Sequence, residues 1–319
     1  MKKFIKNLSF FILSIIMLIF WASKIEPNLI VINEQNLYLP NWNQKLDGLK
    51  IAVISDLHIG STYIDNNKID IIKDKINSQN PDLILILGDY DAKTIKNSHI
   101  DQNELIHTLS QLKPKYKTIS VLGNHDFKPD IIRNIIKKSN ILLLENENKL
   151  LTIQGTPLQI SGTKDLWHYE KEALLFTQEL NTTYPTILLS HNPDLFPEVK
   201  KSVSLTLSGH IHGGQVYIPM LGALFIPSKY GQRYIKGHII ENGKNLYITS
   251  GIGNITKFRL GNIPEIIILN LYSQPSGIPL KNKNHTAIAN INLLPFYNSL
   301  IKKEFSEKYL NKYIRPIKY

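Results

Sequence analysis

Two rhythms of apolar residues divide this chain. Residues 8–22 (LSFFILSIIMLIFWA) form one almost unbroken apolar block, interrupted only by Ser9 and Ser14. From residue 49 onward the apolar residues come in short runs. Residues 49–55 (LKIAVIS) stop at Asp56, 83–87 (LILIL) stop at Gly88-Asp89, and 118–122 stop at Gly123-Asn124. Between and after these runs, 69–78, 104–112 and 130–139 carry apolar residues at helical spacing, the first two closed by Asn80-Pro81 and Pro114. Strands that are apolar throughout and alternate with helices predict a sheet covered on both faces. Residues 141–144 add a strand, and beyond about 145 the pattern turns strand-rich. A hairpin is expected from 149–153 and 158–161 around Gly155-Thr156-Pro157. Further strands are expected at 186–190, 204–208, 215–218, 238–240, 245–250 and 265–271, with a turn at Glu241-Asn242-Gly243-Lys244. Together they predict one α/β domain over 47–272, built as two packed mixed sheets with outer helices and no repeat of fixed period.

The ends read differently. With Phe4 and Ile5, the N-terminal block is near the lower limit of roughly 17 residues for a spanning helix, and Trp21 suits a membrane interface. An uncleaved single-span anchor over 1–24 is the first reading. A cleaved signal peptide, for which no convincing small-x-small site follows the run, and a hairpin or monotopic insertion are the others. Lys2, Lys3 and Lys6 precede the block, and Lys24 is offset by Glu26, which places the N-terminus in the cytoplasm and the body outside. Residues 25–46 read as an extended lead-in, with Pro27 and Pro40 opposing helix. The tail, 273–319, opens on a linker composition (SQPSGIPLKNKN), and 298–313 has the spacing of an amphipathic helix.

Charge sharpens this division. Of the net +11, four lies in residues 1–24, six in 273–319 and one in all that lies between. A nearly neutral body with basic ends argues against a nucleic-acid groove, so no nucleic acid is expected as partner. It fits ends that rest on an anionic membrane surface, or a basic solvated tail. The chain has no Cys, which excludes disulfides, thiolate catalysis and sulfur metal sites. Nothing in the sequence calls for an obligate protein partner.

The chemistry gathers where the short runs end. Asp56-Leu57-His58, Gly88-Asp89, Gly123-Asn124-His125-Asp126, His191 and Gly209-His210-Ile211-His212 all follow apolar runs. In α/β sheets such positions line the crevice beyond the strand ends. Asp56 and His58, two apart, point the same way if the segment is extended. A single buried His is usually a satisfied polar residue, and His99, His107, His168, His238 and His285 are read that way. Burying so many carboxylate and imidazole groups together is unfavourable without a cation. Oxygen and imidazole ligands suit two divalent cations, which would hold both oxygens of an in-line phosphoryl displacement.

These segments, with Leu189-Ser190-His191-Asn192-Pro193-Asp194 and Ser208-Gly209-His210-Ile211-His212-Gly213-Gly214-Gln215, resemble the calcineurin-like metallophosphoesterase superfamily over roughly 47–272. Pro227-Ser228-Lys229-Tyr230-Gly231 and Thr249-Ser250-Gly251-Ile252-Gly253 resemble its membrane-associated bacterial branch, which includes UDP-2,3-diacylglucosamine hydrolases of lipid A synthesis and related phosphodiesterases. The resemblance implies a four-layered α-β-β-α sandwich and a dinuclear site. One cation would take Asp56, His58 and His212, the second Asn124, His191 and His210, and Asp89 would bridge them. A hydroxide between the cations is the implied nucleophile, with His125 near the leaving oxygen as general acid or phosphoryl donor. Mn is the first expectation for the metal, with Fe, Zn or Ni also compatible. Asp126 is read as an orienter of a histidine or as a helix N-cap. Asp91 stands where members of the branch often carry an apolar residue. Arg233 and Arg259 are candidates for a bidentate phosphate clamp. The function expected is a membrane phosphohydrolase acting on a lipid-linked phosphate at a bacterial inner membrane, with UDP-2,3-diacylglucosamine giving UMP and lipid X as the named candidate. The alternatives are an envelope phosphodiesterase of other lipid or nucleotide substrates, and a metal-stabilised membrane module without turnover.

Overall fold

The computed structural model describes residues 2–91, 101–126, 129–254 and 256–275. In chain order the elements are α1 (Lys2–Phe20), β1 (Val31–Leu39), β2 (Leu49–Ile54), α2 (Asn66–Asn77), β3 (Leu83–Ile86), α3 (Gln102–Ser110), β4 (Lys117–Ser120), α4 (Pro129–Lys138) and β5 (Leu142–Leu143). There follow β6 (Glu147–Ile153), β7 (Thr156–Gly162), α5 (Glu170–Glu179), β8 (Thr186–Leu189), β9 (Leu205–Ser208), β10 (Tyr217–Ile218), β11 (Gly222–Ala223), β12 (Gly237–Glu241), β13 (Lys244–Ile248) and β14 (Glu265–Ser273).

The strands build two six-stranded mixed sheets, in the orders β1-β14-β2-β3-β4-β5 and β12-β13-β9-β8-β7-β6, with β10 and β11 as a separate small hairpin. In the first sheet β2 to β5 run parallel, β14 runs against β2, and β1 runs parallel to β14. In the second, β7, β8, β9 and β13 are parallel, and the antiparallel strands β6 and β12 form its edges.

The continuous apolar runs follow from burial on both faces, since successive strand residues point to opposite sides. Ile51 and Val53 of β2, Leu83 and Leu85 of β3 and Ile267 and Leu269 of β14 face the core between the sheets. There they join Ile160, Ile187, Leu189, Leu205 and Leu207 of the second sheet. Their neighbours Ala52, Ile54, Ile84, Ile86, Ile266 and Ile268 face outward, against Ile69, Ile72 and Ile76 of α2, Leu105 and Leu109 of α3 and Ile132, Ile135 and Ile136 of α4. The outer face of the second sheet packs Leu188, Leu246 and Ile248 against Phe196, Val199 and Tyr234, while Ala173 of α5 packs on Leu166 and Leu195. The layering is the α-β-β-α arrangement expected.

Two parts of the chain depart from the expectation. The lead-in is not extended throughout: its first residues continue the N-terminal helical run to Asn28, with Pro27 in the first turn of a short 3-10 helix where its missing amide is tolerated. Val31–Leu39 is an edge strand of the first sheet, because it pairs with β14 over its whole length. Helix α5 lies where no element was read. The expected helix over 298–313 falls outside the described residues.

Helix α1 carries no buried side chain. It continues as a helical run to Asn28 and is the one described helix long and apolar enough to cross a membrane. Its C-terminal continuation docks on the body: the Arg259 amide donates to the Ala22 carbonyl at 2.9 Å, and the Asn262 amide donates to Glu26 Oε1 at 2.7 Å.

Candidate metal centre

The candidate residues come together between the carboxyl ends of the two sheets. Asp56 and His58 follow β2, Asp89 follows β3, and Asn124 and His125 follow β4. His191 follows β8, and His210 and His212 follow β9. The segment holding Asp56 and His58 is not extended. Both have left-handed backbones (φ 55° and 43°), as do Asp89 (φ 57°), His210 (φ 70°) and His212 (φ 52°). Non-glycine residues adopt this conformation rarely, and the surrounding structure must hold them there. The sharp turns let Asp56 and His58 converge even though no strand geometry aligns them.

Glycines permit the close approach. A Cβ on Gly123 would clash with the Asp89 carboxylate, and one on Gly209 would clash with Ser55 Oγ and the Asp56 carboxylate. Asp126 holds the Asp89 turn from below, accepting from the amides of Tyr90 at 2.8 Å, Gly123 at 2.8 Å and Asp89 at 3.1 Å. It therefore fixes backbone, and its hydrogen bonds to the described residues are to these amides and that of Asp91.

Two buried sets of three ligand-type side chains result, Asp56 with His58 and His212, and Asp89 with His191 and His210. Within each set the ligating atoms lie within 4.8 Å of one another. In the first, His58 Nε2 faces His212 Nε2 at 3.1 Å and His212 Nε2 lies 3.2 Å from Asp56 Oδ1. Asp89 Oδ2 reaches both sets, 3.3 Å from His191 Nε2 and 3.7 Å from His58 Nε2, yet makes no hydrogen bond. Asn124 Oδ1 lies 3.0 Å from His191 Nε2 and so joins the second set. Backbone carbonyls orient the rings: Leu87 O accepts from His191 Nδ1 at 2.7 Å and Pro227 O from His210 Nε2 at 3.0 Å. Such outer contacts fix which ring nitrogen is left for a cation. A buried carboxylate oxygen without a hydrogen bond, facing imidazoles from both sets, fits a donor array for two divalent cations.

Charge states follow from the same geometry. Burial alone would raise the Asp56 carboxyl, but His212 and then His191 outweigh it and hold the pKa below the usual range. Burial acts likewise on Asp89 and is overcome chiefly by His191 and His125, which hold it well below the usual range. Burial pushes His58 down to about 3 and His210 to about 4, the latter helped by His191. His191 runs the other way: burial opposes its charge, yet Asp89 and Asp56 lift it to about 10. Asp126, desolvated and beside Asp89, rises to about 7. Two ionised carboxylates thus hold a proton on His191, a positive charge in the place a cation would take.

The other expected residues divide. The amide of His125 is fixed by Asp89 Oδ1 at 2.7 Å, and its ring stands edge-on to His58, centroids 5.1 Å apart. Burial lowers its pKa. Asp91 meets the site through its backbone, its carbonyl 3.4 Å from His58 Nδ1. The two arginines read as a candidate phosphate clamp are each held by other protein groups. Arg233 is held bidentately by Glu241, Nε at 2.8 Å and Nη2 at 2.5 Å. Arg259 is fully buried, with its guanidinium donating to the carbonyls of Asn262 at 2.9 Å, Ser250 at 3.0 Å and Gly253 at 2.6 Å. Its Nη2 also lies 3.4 Å from His212 Nδ1, behind the ring. Sequence reading missed Trp167, whose ring stands edge-on to His210 at 4.6 Å between centroids. Its signal was weak, an aromatic residue in a loop far from any strand-end motif.

The sequence model of the family described as calcineurin-like phosphoesterase matches residues 49–214, the span that carries every one of these candidate ligands. The chain belongs to the calcineurin-like phosphoesterase family. As a calcineurin-like phosphoesterase it is a hydrolase of phosphoester bonds, and the family implies a dinuclear divalent-metal site. Phosphodiesterase YaeI of Escherichia coli is 29% identical over 231 residues, covering 70% of this chain and 82% of that protein. The UDP-2,3-diacylglucosamine pyrophosphatase LpxG of Chlamydia trachomatis is 25% identical over 314 residues, covering 80% and 93%. Among solved structures, the phosphopantetheinyl hydrolase of Mycobacterium tuberculosis aligns with a TM-score of 0.40 at 14% identity, covering 66% of this chain and 92% of that one.

Proposed function

We propose that this calcineurin-like phosphoesterase is a membrane-anchored enzyme that hydrolyses a lipid-linked phosphodiester or pyrophosphate, with UDP-2,3-diacylglucosamine as the named candidate. The observation that carries the reading is a pair of buried ligand sets, sharing Asp89, in a body docked directly on the end of an exposed apolar helix. In this reading Asp56, His58 and His212 hold one divalent cation, Asn124, His191 and His210 hold the other, and Asp89 is common to both. Bound there, such cations polarise a phosphoryl oxygen and lower the pKa of water. Asp126 keeps Asp89 in place through the amides of the Asp89 turn. His125, fixed at its amide by Asp89, serves as general acid or as hydrogen-bond donor to the phosphoryl group. The similarity to LpxG supports the substrate.

The test is the full chain in detergent or vesicles, reconstituted with Mn2+ and given UDP-2,3-diacylglucosamine beside a soluble aryl phosphodiester. Release of UMP and lipid X is expected. Turnover of the soluble diester with no UMP from the lipid substrate overturns the named substrate and leaves the class of reaction standing.

A second reading, an envelope phosphodiesterase of other lipid or nucleotide substrates, is favoured by one observation. Lys2, Lys3 and Lys6 precede the apolar helix, which puts the body outside. Labelling of a Leu150→Cys variant in intact cells by an impermeant maleimide supports this reading; protection from it supports the first.

A further inference from the structure

The hairpin formed by β10 and β11 carries an unusual tip. Its connection is Pro219-Met220-Leu221, where polar and glycine residues normally serve. Met220 is 77% exposed and sits in the left-handed region at φ 72°, a conformation that disfavours such a side chain. Leu221, Leu224, Phe225 and, on a neighbouring segment, Phe258 are also exposed. Contiguous apolar exposure of this kind marks an interaction surface.

Hydrogen bonds tie this surface to the end of the apolar helix. The Tyr217 amide donates to the Leu260 carbonyl at 2.7 Å, and the next residue back, Arg259, donates from its amide to Ala22 at 2.9 Å. The Tyr63 hydroxyl is shared between the carbonyls of Ser23 at 2.6 Å and Lys257 at 2.8 Å. Lys257 and Phe258 therefore stand beside the helix exit, where Trp21 and Lys24 are exposed as well. From Tyr217 to Met220 the chain reaches at most about 10 Å, so the tip stays close to the segment that docks on the helix end. The hairpin also packs on the metal centre's own segment: a Cβ on Gly214, two residues after His212, would collide with the Ala223 side chain.

We propose that the Met220 hairpin, with Leu224, Phe225 and Phe258, inserts into the headgroup–acyl boundary of the same bilayer, holding the His210–Gly214 segment against the lipid surface. This rests on the reading of α1 as a membrane anchor given above. Apolar side chains dip into that boundary by roughly 5–10 Å in interfacial proteins. The exposed Lys24 and Lys257 supply attraction to anionic headgroups. A bilayer is the occupant because the surface is continuous with the one described helix built to cross it.

The chain has no Cys, so single-cysteine variants can be labelled uniquely. Full-length Met220→Cys, Leu13→Cys and Leu150→Cys are each labelled with an environment-sensitive fluorophore. They are then placed in vesicles of phosphatidylethanolamine and phosphatidylglycerol doped with acyl-brominated lipid. Turnover of the soluble diester reports that each is folded. Position 220 is expected to lose most of its emission, as position 13 does, while position 150, on the far edge strand β6, stays bright. Quenching at 13 with full emission at 220 overturns the hairpin's insertion and leaves the anchor and the proposed function intact. Full emission at 13 overturns the anchor and the insertion together.

Discussion

The two sheets contribute unlike chemistry to one crevice. The first brings both carboxylates and the amide, Asp56, Asp89 and Asn124, with His58 and His125. The second brings imidazole alone, His191, His210 and His212. Each ligand set draws on both sheets, so neither half of the sandwich can complete a set alone. The carboxylates of the first half face the imidazoles of the second, and against the effect of burial Asp89 and Asp56 raise the His191 pKa.

The sharpest break of this comparison is Asp89→Ala. It removes the one carboxylate that reaches both sets, and the expected loss of soluble-diester turnover exceeds the ~10²–10³-fold typical of losing one transition-state donor. Retained turnover would refute a shared carboxylate. His210→Ala strips one set only, and about a hundredfold loss, partly recovered at high Mn2+, is expected; loss equal to that of Asp89→Ala would show that the sheets do not divide the work as described. Arg259→Lys keeps the charge behind His212 but not the fork that binds three carbonyls. A fall of about 10–100-fold in metal affinity is expected, measured by titration calorimetry, and unchanged affinity would remove Arg259 from the support of His212. Chelation tests the coupling of the halves. At a hundredfold excess over Kd, bound metal contributes about 2.7 kcal/mol to stability, so the melting temperature should fall on adding chelator, and an unchanged melt would mean that metal does not bridge the sheets. The smallest effect on turnover belongs to Arg233→Ala, whose ion-pair partner is the buried Glu241 and none of the ligand-type residues. Diester turnover should be unaltered; a large loss of it would restore Arg233 to the site.

The first half of the fold was the more legible in sequence. Its strands are apolar on both faces and end abruptly at Asp56, Gly88-Asp89 and Gly123-Asn124, so both strand and crevice show in the pattern. The candidate ligands could be read because each follows such an end. What could not be read depends on contacts distant in sequence. The pairing of Val31–Leu39 with β14 joins segments over two hundred positions apart. Arg259 donates from its amide to the Ala22 carbonyl and lies 3.4 Å from His212, both far from it in sequence. The left-handed turns at Asp56 and His58 are imposed by neighbours such as Gly88, whose carbonyl accepts from the Asp56 amide at 2.9 Å, and not by local preference. Helix α5 escaped notice because few of its residues are buried, Ala173 and Thr177 among them, which leaves little periodicity to detect.

The strand order of the first sheet also has a consequence for biosynthesis. Strand β14, which lies between β1 and β2, is made last of the six. A nascent chain can align β2, β3 and β4 as they emerge, but the outer edge of β2 stays open until Glu265–Ser273 has been translated. Open apolar edges invite pairing with other chains. Strand β1, synthesised first and next to the apolar helix, has no partner in the sheet until that same moment. The protein therefore closes its first sheet from the two ends of the domain at once, late, with its leading segment already committed to wherever α1 resides.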